Sequence, residues 1–255
     1  GGRFRIDFDD FERRAEGCRL FILANPHNPA GTLWSPDDLR RMADICHRHG
    51  LLVVADEIHA DLALPGHTHT SYSTVSPEAR AHSITFVAPS KTFNIAGLAS
   101  SACYIASPDL RQRFYPWLDA LGVASPNLFA LTGAEAAFSQ GDDWLGQLLP
   151  YLAANADLLR TFLAGRLPQA KALLPEASYL AWIDLSALGL GHDELCRRLV
   201  HRARLVLNDG TEFGGPAYRC HFRLNLGCPR ALLADALQRL ADALAAQFGG
   251  LESTV

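Results

Sequence analysis

The chain has 255 residues, of which 49% are hydrophobic and 20% are charged, and its formal net charge is −4. This composition is typical of a globular protein with one large domain or two smaller ones. The chain has no basic tract, which argues against nucleic-acid partners. It also lacks an apolar run near the ~20 residues that a membrane helix needs, so no membrane partner is expected.

The first third of the chain alternates between strand and helix signals. Residues 21–23 (FIL) predict a short buried strand, which runs into the turn-rich loop NPHNPAGTLWS. Ser35 and Pro36 then form a helix start, and Gly50 ends that helix. The run LLVVADEI is continuously apolar up to its acids, which predicts a strand buried on both faces of a parallel sheet.

The alternation continues to about residue 140 and then changes character. SITFVA and SSACYIA predict two more strands, and Ser107 caps the following helix. This pattern indicates an α/β layer. Later, a long amphipathic helix containing Pro150 precedes the strands SYLAWIDL and CHFRLNL and the helices HDELCRRLVHRA and RALLADALQRLADALAAQF. We therefore predict a large domain over residues 1–143 and a smaller α+β domain over residues 144–255.

The six cysteines indicate a reducing compartment rather than a disulfide framework. They form no CxxC pair and fit no zinc-ligand spacing, so we predict reduced, mostly buried thiols in a cytoplasmic protein. His67 and His69 form a short HTH pair in a Pro/Gly loop, and we take both as solvated because further ligands for a metal are absent from the pattern. No metal site is predicted.

Polar residues follow three of the predicted strands. In open α/β sheets, ligands bind beyond the carboxyl ends of the strands, so in one parallel sheet these side chains would share a crevice. The residues, in chain order, are Asn25, Asn28, Asp56, Glu57, His59, Ser90 and Lys91.

Three of these residues match the chemical needs of pyridoxal phosphate. Lys91, at the end of an apolar strand, is expected to have a lowered pKa and to form a Schiff base with an aldehyde. Asp56 suits a protonated ring nitrogen, and an asparagine amide suits a phenolate-type oxygen. Each also has an ordinary interpretation: Lys91 as a solvated loop residue, Asp56 as a cap, and NPHNP as a turn. The residues alone do not name the cofactor.

Four motifs occur in order along almost the whole chain: NPHNPAG, VVADEIH, SKTFNIAGL and FRLNLGCPR. Together they resemble the fold-type I, class I/II aminotransferase superfamily, and most closely its MalY/PatB group of C–S β-lyases, the cystathionine β-lyases. The resemblance implies part of the α/β large domain of that fold, with a mostly parallel sheet and helices on both faces, and the smaller C-terminal domain. It also implies pyridoxal 5'-phosphate as cofactor and a homodimer.

The resemblance further assigns roles at the cofactor. Lys91 would form the Schiff base and shuttle the Cα proton, and Asp56 would pair with the pyridine nitrogen. Asn28 would bond the ring oxygen, with His59 where many relatives have a tyrosine contacting that oxygen. Ser90 would bind phosphate.

Arg223 matches the arginine that clamps the substrate α-carboxylate, a bidentate task suited to guanidinium; a surface salt bridge is the alternative. Ala88 and Ala99 depart from the wider family, in which many aminotransferases have a Ser and an Arg that hold phosphate at these positions. This departure favours the lyase branch over a plain aminotransferase.

The resemblance implies cleavage of L-cystathionine or related cysteine S-conjugates to a thiol, pyruvate and ammonia. The alternatives are an amino-acid aminotransferase and a non-catalytic or regulatory lyase-like protein. Since relatives run to nearly 400 residues, we expect that their N-terminal third is missing here and that the truncated sheet exposes an edge and apolar surface.

Overall fold

The computed structural model describes residues 2–123 and 125–245. The chain divides into two compact units, Gly1–Tyr151 with Glu176–Ser178 and Leu152–Pro175 with Tyr179–Val255. One long helix, Asp142–Arg166, contributes residues to both units and continues through Pro150. The predicted domain boundary at residues 143/144 lies earlier in this same helix.

The first unit is built on a four-stranded sheet. Its strands are β1 (Leu20–Ala24), β2 (Leu52–Asp56), β3 (Ser83–Val87) and β4 (Ala102–Tyr104), in that spatial order. The first three strands are mutually parallel, and β4 pairs antiparallel with β3. The helices are α1 (Phe8–Ala15), α2 (Pro36–Arg48), α3 (Pro77–Ala81), α4 (Pro89–Thr92), α5 (Pro108–Ala120), α6 (Leu128–Gln140) and α7 (Asp142–Arg166).

Helix α2 begins and ends where the local sequence predicts. The Ser35 hydroxyl accepts from Asp38 N at 3.1 Å, and the Asp38 carboxylate accepts from Ser35 N at 3.3 Å, which closes a reciprocal capping box. At the other end Gly50 adopts φ +68°, a left-handed conformation that glycine accommodates without a Cβ clash. Four neighbouring residues are enough to fix such a helix start, which is why the sequence predicts it.

Among the described residues, β1 and β2 are fully covered on one face only, whereas Ser83, Ile84 and Thr85 of β3 are all buried. Val53 and Ala55 of β2 are buried against α2, whereas Val54 is half-buried. On β1 the side chains of Leu20 and Ile22 are 47% and 67% exposed. The predictions of a buried strand at residues 21–23 and of a β2 buried on both faces are therefore wrong, because the described residues do not fully cover the second face over these two strands. The expected exposure of apolar surface is confirmed.

The second unit is an α+β arrangement around an antiparallel sheet. Its strands β5 (Lys171–Leu173), β6 (Leu180–Asp184), β7 (Asn208–Asp209) and β8 (His221–Asn225) stand in the order β5-β6-β8-β7. Helix α8 (His192–Arg197) continues as a π-helical turn, Arg198–Arg202, and α9 (Thr211–Gly214) and α10 (Arg230–Ala245) follow. The core contains Leu159, Leu195, Phe222 and Leu237, each at most 2% exposed.

All six cysteines are free thiols, but they are not mostly buried. Only Cys46 is buried, Cys18 is exposed, and the other four are half-buried. The number and spacing of cysteines do not indicate which face of a helix or strand is covered. The prediction of mostly buried thiols is therefore wrong. Within residues 2–123 and 125–245, no helix is both long and apolar enough to cross a membrane.

Candidate active site

The carboxyl ends of β1, β2 and β3 meet at one edge of the first unit's sheet. Asp56 is the last residue of β2 and stands in register between Ala24 of β1 and Phe86 of β3. The ladder continues one step further, since Asn25 N donates to Asp56 O at 3.0 Å and Glu57 N donates to Phe86 O at 2.9 Å. The three strand exits predicted to share a crevice are therefore neighbours in one parallel arrangement.

Asp56 is half-buried, and its side chain turns back onto the chain that follows it. Oδ1 accepts from the backbone N–H of Ile58 at 3.2 Å. The Asp56 side chain thus caps a short turn, which agrees with its ordinary interpretation as a cap and holds the carboxylate at the end of β2.

Lys91 lies on α4, the four-residue helix that follows β3, and is half-buried. Its neighbour Thr92 is buried, and the Thr92 hydroxyl donates to Oδ2 of Asp61 at 3.2 Å. Since Asp61 belongs to the segment after β2, this bond joins the segments that directly follow β2 and β3. Ser90 uses its single hydroxyl hydrogen to donate to Ser100 O at 3.0 Å.

Asn25 directly follows β1, is fully buried and contacts the loop that contains His69 and Thr70. Its Nδ2 donates to Thr70 O at 2.8 Å, and its backbone oxygen lies 3.1 Å from Nε2 of His69. The same Nε2 of His69 also lies 3.2 Å from Nδ2 of Asn25. Oδ1 of Asn25 is buried and has no hydrogen-bond partner among the residues that the structure describes. A buried acceptor left in this way is a common sign of a ligand or water site.

His69 also faces Glu57, the residue next to Asp56. Nε2 of His69 lies 3.7 Å from Oε2 of Glu57, and Oε1 of Glu57 accepts from Tyr72 N at 2.8 Å. Burial raises the pKa of Glu57 to about 7, against the opposing effect of the Tyr72 hydrogen bond. Burial likewise lowers the pKa of His69. Both shifts therefore lower the charge that the two side chains carry at neutral pH.

The placement of His69 corrects the sequence prediction. His67 is exposed as expected, but the His69 side chain is only 12% exposed and contacts two strand ends. Sequence reasoning missed it because a His in a Pro/Gly loop carries no periodicity. The one available signal was Glu57, a carboxyl group at the end of a buried strand, which needs a partner.

The other two predicted cofactor residues stand on the loops of the same edge. His59 is buried at the start of a 3₁₀ turn, Ala60–Leu62, and Asn28 is exposed in the loop after β1. That loop is held by Glu176, whose carboxylate accepts from Leu33 N at 2.8 Å and whose N–H donates to Gly31 O at 2.9 Å.

Arg223 belongs to the second unit, on β8. It is half-buried, and its Nη2 donates to Oδ1 of Asn208 at 2.7 Å. Its guanidinium carbon lies 4.9 Å from the centre of the Phe213 ring, and burial lowers its pKa. Within the second unit, Arg223 therefore has the Asn208 amide and the Phe213 ring among its neighbours.

Comparisons with known proteins agree on one family. Residues 2–240 match the sequence profile of the family described as "Aminotransferase class I and II". Cystathionine beta-lyase PatB of Bacillus subtilis is 44% identical, over 95% of this chain and 63% of its own length. Protein MalY of Escherichia coli is 34% identical, over 90% and 58%. The crystal structure of cystalysin from Treponema denticola, which contains pyridoxal 5'-phosphate, has a TM-score of 0.91 and 32% identity, covering 95% and 62%.

Proposed function

We propose that this chain, which belongs to the aminotransferase class I and II family, is part of a pyridoxal-phosphate-dependent carbon–sulfur β-lyase. It would cleave L-cystathionine or related cysteine S-conjugates to a thiol, pyruvate and ammonia. One observation carries this proposal: Asp56 and the segment that contains Lys91 lie at the carboxyl ends of two adjacent parallel strands. The chain spans about three fifths of the length of the curated relatives it matches, so the activity of the whole protein is part of the proposal.

The residues at the sheet edge fit the cofactor. Pyridoxal phosphate presents an aldehyde, a protonated ring nitrogen, a ring oxygen and a phosphate, and so it needs an amine, a carboxylate and hydrogen-bonding groups. Lys91, on the helix after β3, would supply the amine and Asp56, at the end of β2, the carboxylate, and the Thr92–Asp61 bond joins the segments after these two strands. The buried Oδ1 of Asn25 is a further polar atom at the same edge that lacks a partner within the described chain.

When bound, pyridoxal phosphate supplies the electron sink that makes the substrate Cα proton acidic. Nζ of Lys91 would hold the cofactor aldehyde and, once released, would take the proton from Cα. The Asp56 carboxylate would accept from the ring N–H and keep that nitrogen protonated. Asn28 and His59 would contact the ring oxygen. Ser90 would have to exchange its bond to Ser100 for one to phosphate.

Arg223 would bind the substrate α-carboxylate. A guanidinium group offers two parallel N–H donors, which match the two carboxylate oxygens in one plane. The half-buried position of Arg223 on β8 strengthens such a pair, because a partly desolvated charge gains more from its partner. Replacing Arg223 with Lys should therefore raise KM for the amino-acid substrate even though the charge is kept.

The first test uses the fact that the chain contains two lysines, Lys91 and Lys171. The 255-residue chain is incubated with pyridoxal phosphate, reduced with borohydride and digested for peptide mass spectrometry. We expect the cofactor mass on the Lys91 peptide, its loss in Lys91→Ala and its retention in Lys171→Ala, where Lys171 is exposed on β5. An adduct on Lys171, or none on Lys91, would contradict the assignment.

Turnover is measured separately from cofactor binding, because the relatives are longer than this chain. Incubation with L-cystathionine alone should release pyruvate, ammonia and a thiol. The family description favours an aminotransferase as the second candidate, and a keto acid formed only when an acceptor is added would indicate it. A chain that takes up no cofactor would indicate the third candidate, a non-catalytic lyase-like protein.

We further propose a homodimer in the cytoplasm. Exposed apolar side chains of the first unit, such as Trp117 at 58%, Leu128 at 73% and Phe129 at 74%, supply surface that a second subunit would cover. Six free thiols fit a reducing compartment. Light scattering on the purified protein should give twice the chain mass of 27.8 kDa.

A further inference from the structure

Three side chains of the second unit bring one nitrogen, one sulfur and one oxygen atom together. The ligand-type atoms of His192, Cys196 and Asp209 all lie within 4.8 Å of one another. Nε2 of His192 is 3.0 Å from Oδ2 of Asp209 and 3.7 Å from Sγ of Cys196, and Sγ is 3.9 Å from the same Oδ2. His192 and Cys196 are one turn apart on α8, and Asp209 comes from β7.

Two of these side chains are oriented by bonds on their far sides. Nδ1 of His192 lies 2.5 Å from Arg219 O, and because a carbonyl oxygen only accepts, Nδ1 carries the hydrogen. Oδ1 of Asp209 accepts from the N–H and the hydroxyl of Thr211, at 2.9 and 2.8 Å. Such outer contacts are typical of histidine and carboxylate metal ligands, because they fix the ring tautomer and aim the remaining atoms.

The atoms left over are all electron-pair donors. With the Nδ1 hydrogen held by Arg219 O, Nε2 of His192 faces the Asp209 carboxylate and lies 3.0 Å from Oδ2. A positive charge at this point, either a proton shared by the two atoms or a metal ion, stabilises the pair. A proton would satisfy that pair alone, whereas a metal ion would also use the sulfur atom.

We propose that His192, Cys196 and Asp209 form a binding site for a thiophilic divalent cation, with Zn²⁺ as the best fit. Around a tetrahedral Zn²⁺ with bonds of about 2.0–2.3 Å, ligand atoms stand roughly 3.3–3.7 Å apart. The three separations given above bracket that range, so only small movements are needed. Water would fill the fourth position.

Binding would be accompanied by loss of the Cys196 thiol proton to solvent, since the thiolate is the metal ligand. The site is formed only in the folded state, because Asp209 is brought to α8 by the turn into β7. A bound ion should therefore also stabilise this unit.

The test is a Co²⁺ titration of the untagged, chelator-treated 255-residue chain, because Co²⁺ bound by thiolate gives a charge-transfer absorption band. We expect one equivalent of Co²⁺ to produce the band and Zn²⁺ to remove it by displacement. Cys196→Ser should abolish the band, and His192→Gln and Asp209→Asn should weaken Co²⁺ binding by at least about 10-fold. Cys228→Ser, which removes another half-buried thiol of the same unit, should change neither.

A second variant guards against loss of folding. Thr211→Val keeps all three ligands but removes one of the bonds that orient Asp209, so the band should persist while Co²⁺ affinity falls by roughly 10-fold. Circular dichroism of each variant establishes that it is folded. A wild-type chain that gives no band with equimolar Co²⁺, or a band that survives in Cys196→Ser, would overturn the proposal and leave a protonated His192–Asp209 ion pair.

Discussion

Nε2 of His69 lies 3.7 Å from Oε2 of Glu57, and both groups are held next to the end of β2. Burial moves the two pKa values in opposite directions, upward for Glu57 and downward for His69, so both changes favour uncharged side chains. With a pKa of about 7, the carboxyl group adjacent to Asp56 carries only part of a negative charge at neutral pH. Asp56 is the residue that we propose pairs with the cationic ring nitrogen.

Glu57 should make the protein less stable as pH rises from acid to neutral. Its pKa is about 7 when folded against 4.5 as the ordinary value, so between these pH values only the folded state holds the proton. Stability from this group is full below pH 4.5 and is lost as pH rises towards 7. Urea unfolding of wild type relative to Glu57→Gln should show a loss of roughly 2–3 kcal/mol between pH 5 and pH 8.

The glutamine amide in Glu57→Gln keeps an oxygen acceptor for Tyr72 N, which makes this substitution a narrow change. The control is Glu16→Gln at an exposed position, which should follow the wild-type pH dependence. If the difference between wild type and Glu57→Gln were constant over this range, Glu57 would be ionised in the folded protein.

Thr92→Val should loosen the connection between the loops after β2 and β3. The variant loses the hydrogen bond to Asp61 while keeping a similar volume at a buried position, so we expect about 1 kcal/mol of destabilisation. If this bond helps to position Lys91, cofactor uptake should weaken as well. Thr132→Val, at an exposed helix position, is the control, and an equal effect of the two variants would contradict the prediction.

Leu237 and Leu232 on α10 should respond very differently to truncation. Leu237 is 1% exposed in the second unit's core, so Leu237→Ala should cost about 2–5 kcal/mol of unfolding free energy. Leu232 is 54% exposed, and Leu232→Ala should stay within about 0.5 kcal/mol of wild type. Denaturant unfolding measures both, and equal losses would mean that the two leucines do not differ in burial.

Cys46 should resist alkylation at a pH where Cys18 reacts. Burial raises the pKa of the Cys46 thiol to about 11, which leaves about one thiolate in a thousand at pH 8. Cys18 is exposed. A time course with iodoacetamide, followed by peptide mass spectrometry, should label Cys18 first, and Cys46 should become labelled only in denaturant. Rapid labelling of Cys46 in the native protein would be inconsistent with its burial.

The sequence by itself determined the features that depend on a few adjacent residues or on an ordered set of motifs. Ser35 and Gly50 bound their helix as expected, because caps are satisfied within one turn of chain. The motifs predicted the family, and the strand exits predicted that Asp56 and Lys91 would follow neighbouring parallel strands. These features need no knowledge of which distant segments meet.

Tertiary structure decided burial, protonation and the meeting of residues far apart in the chain. Ile22 is exposed although it lies in an apolar run, because it points to the uncovered face of the sheet, whereas the next residue, Leu23, points to the covered face and is buried. His69 is held against Asn25 and Glu57, and Asp209 against His192 and Cys196, by turns that no local pattern records. Desolvation and charge pairing act between groups that are close in space. The raised pKa of Glu57 and the cluster of His192, Cys196 and Asp209 therefore follow only from the folded chain.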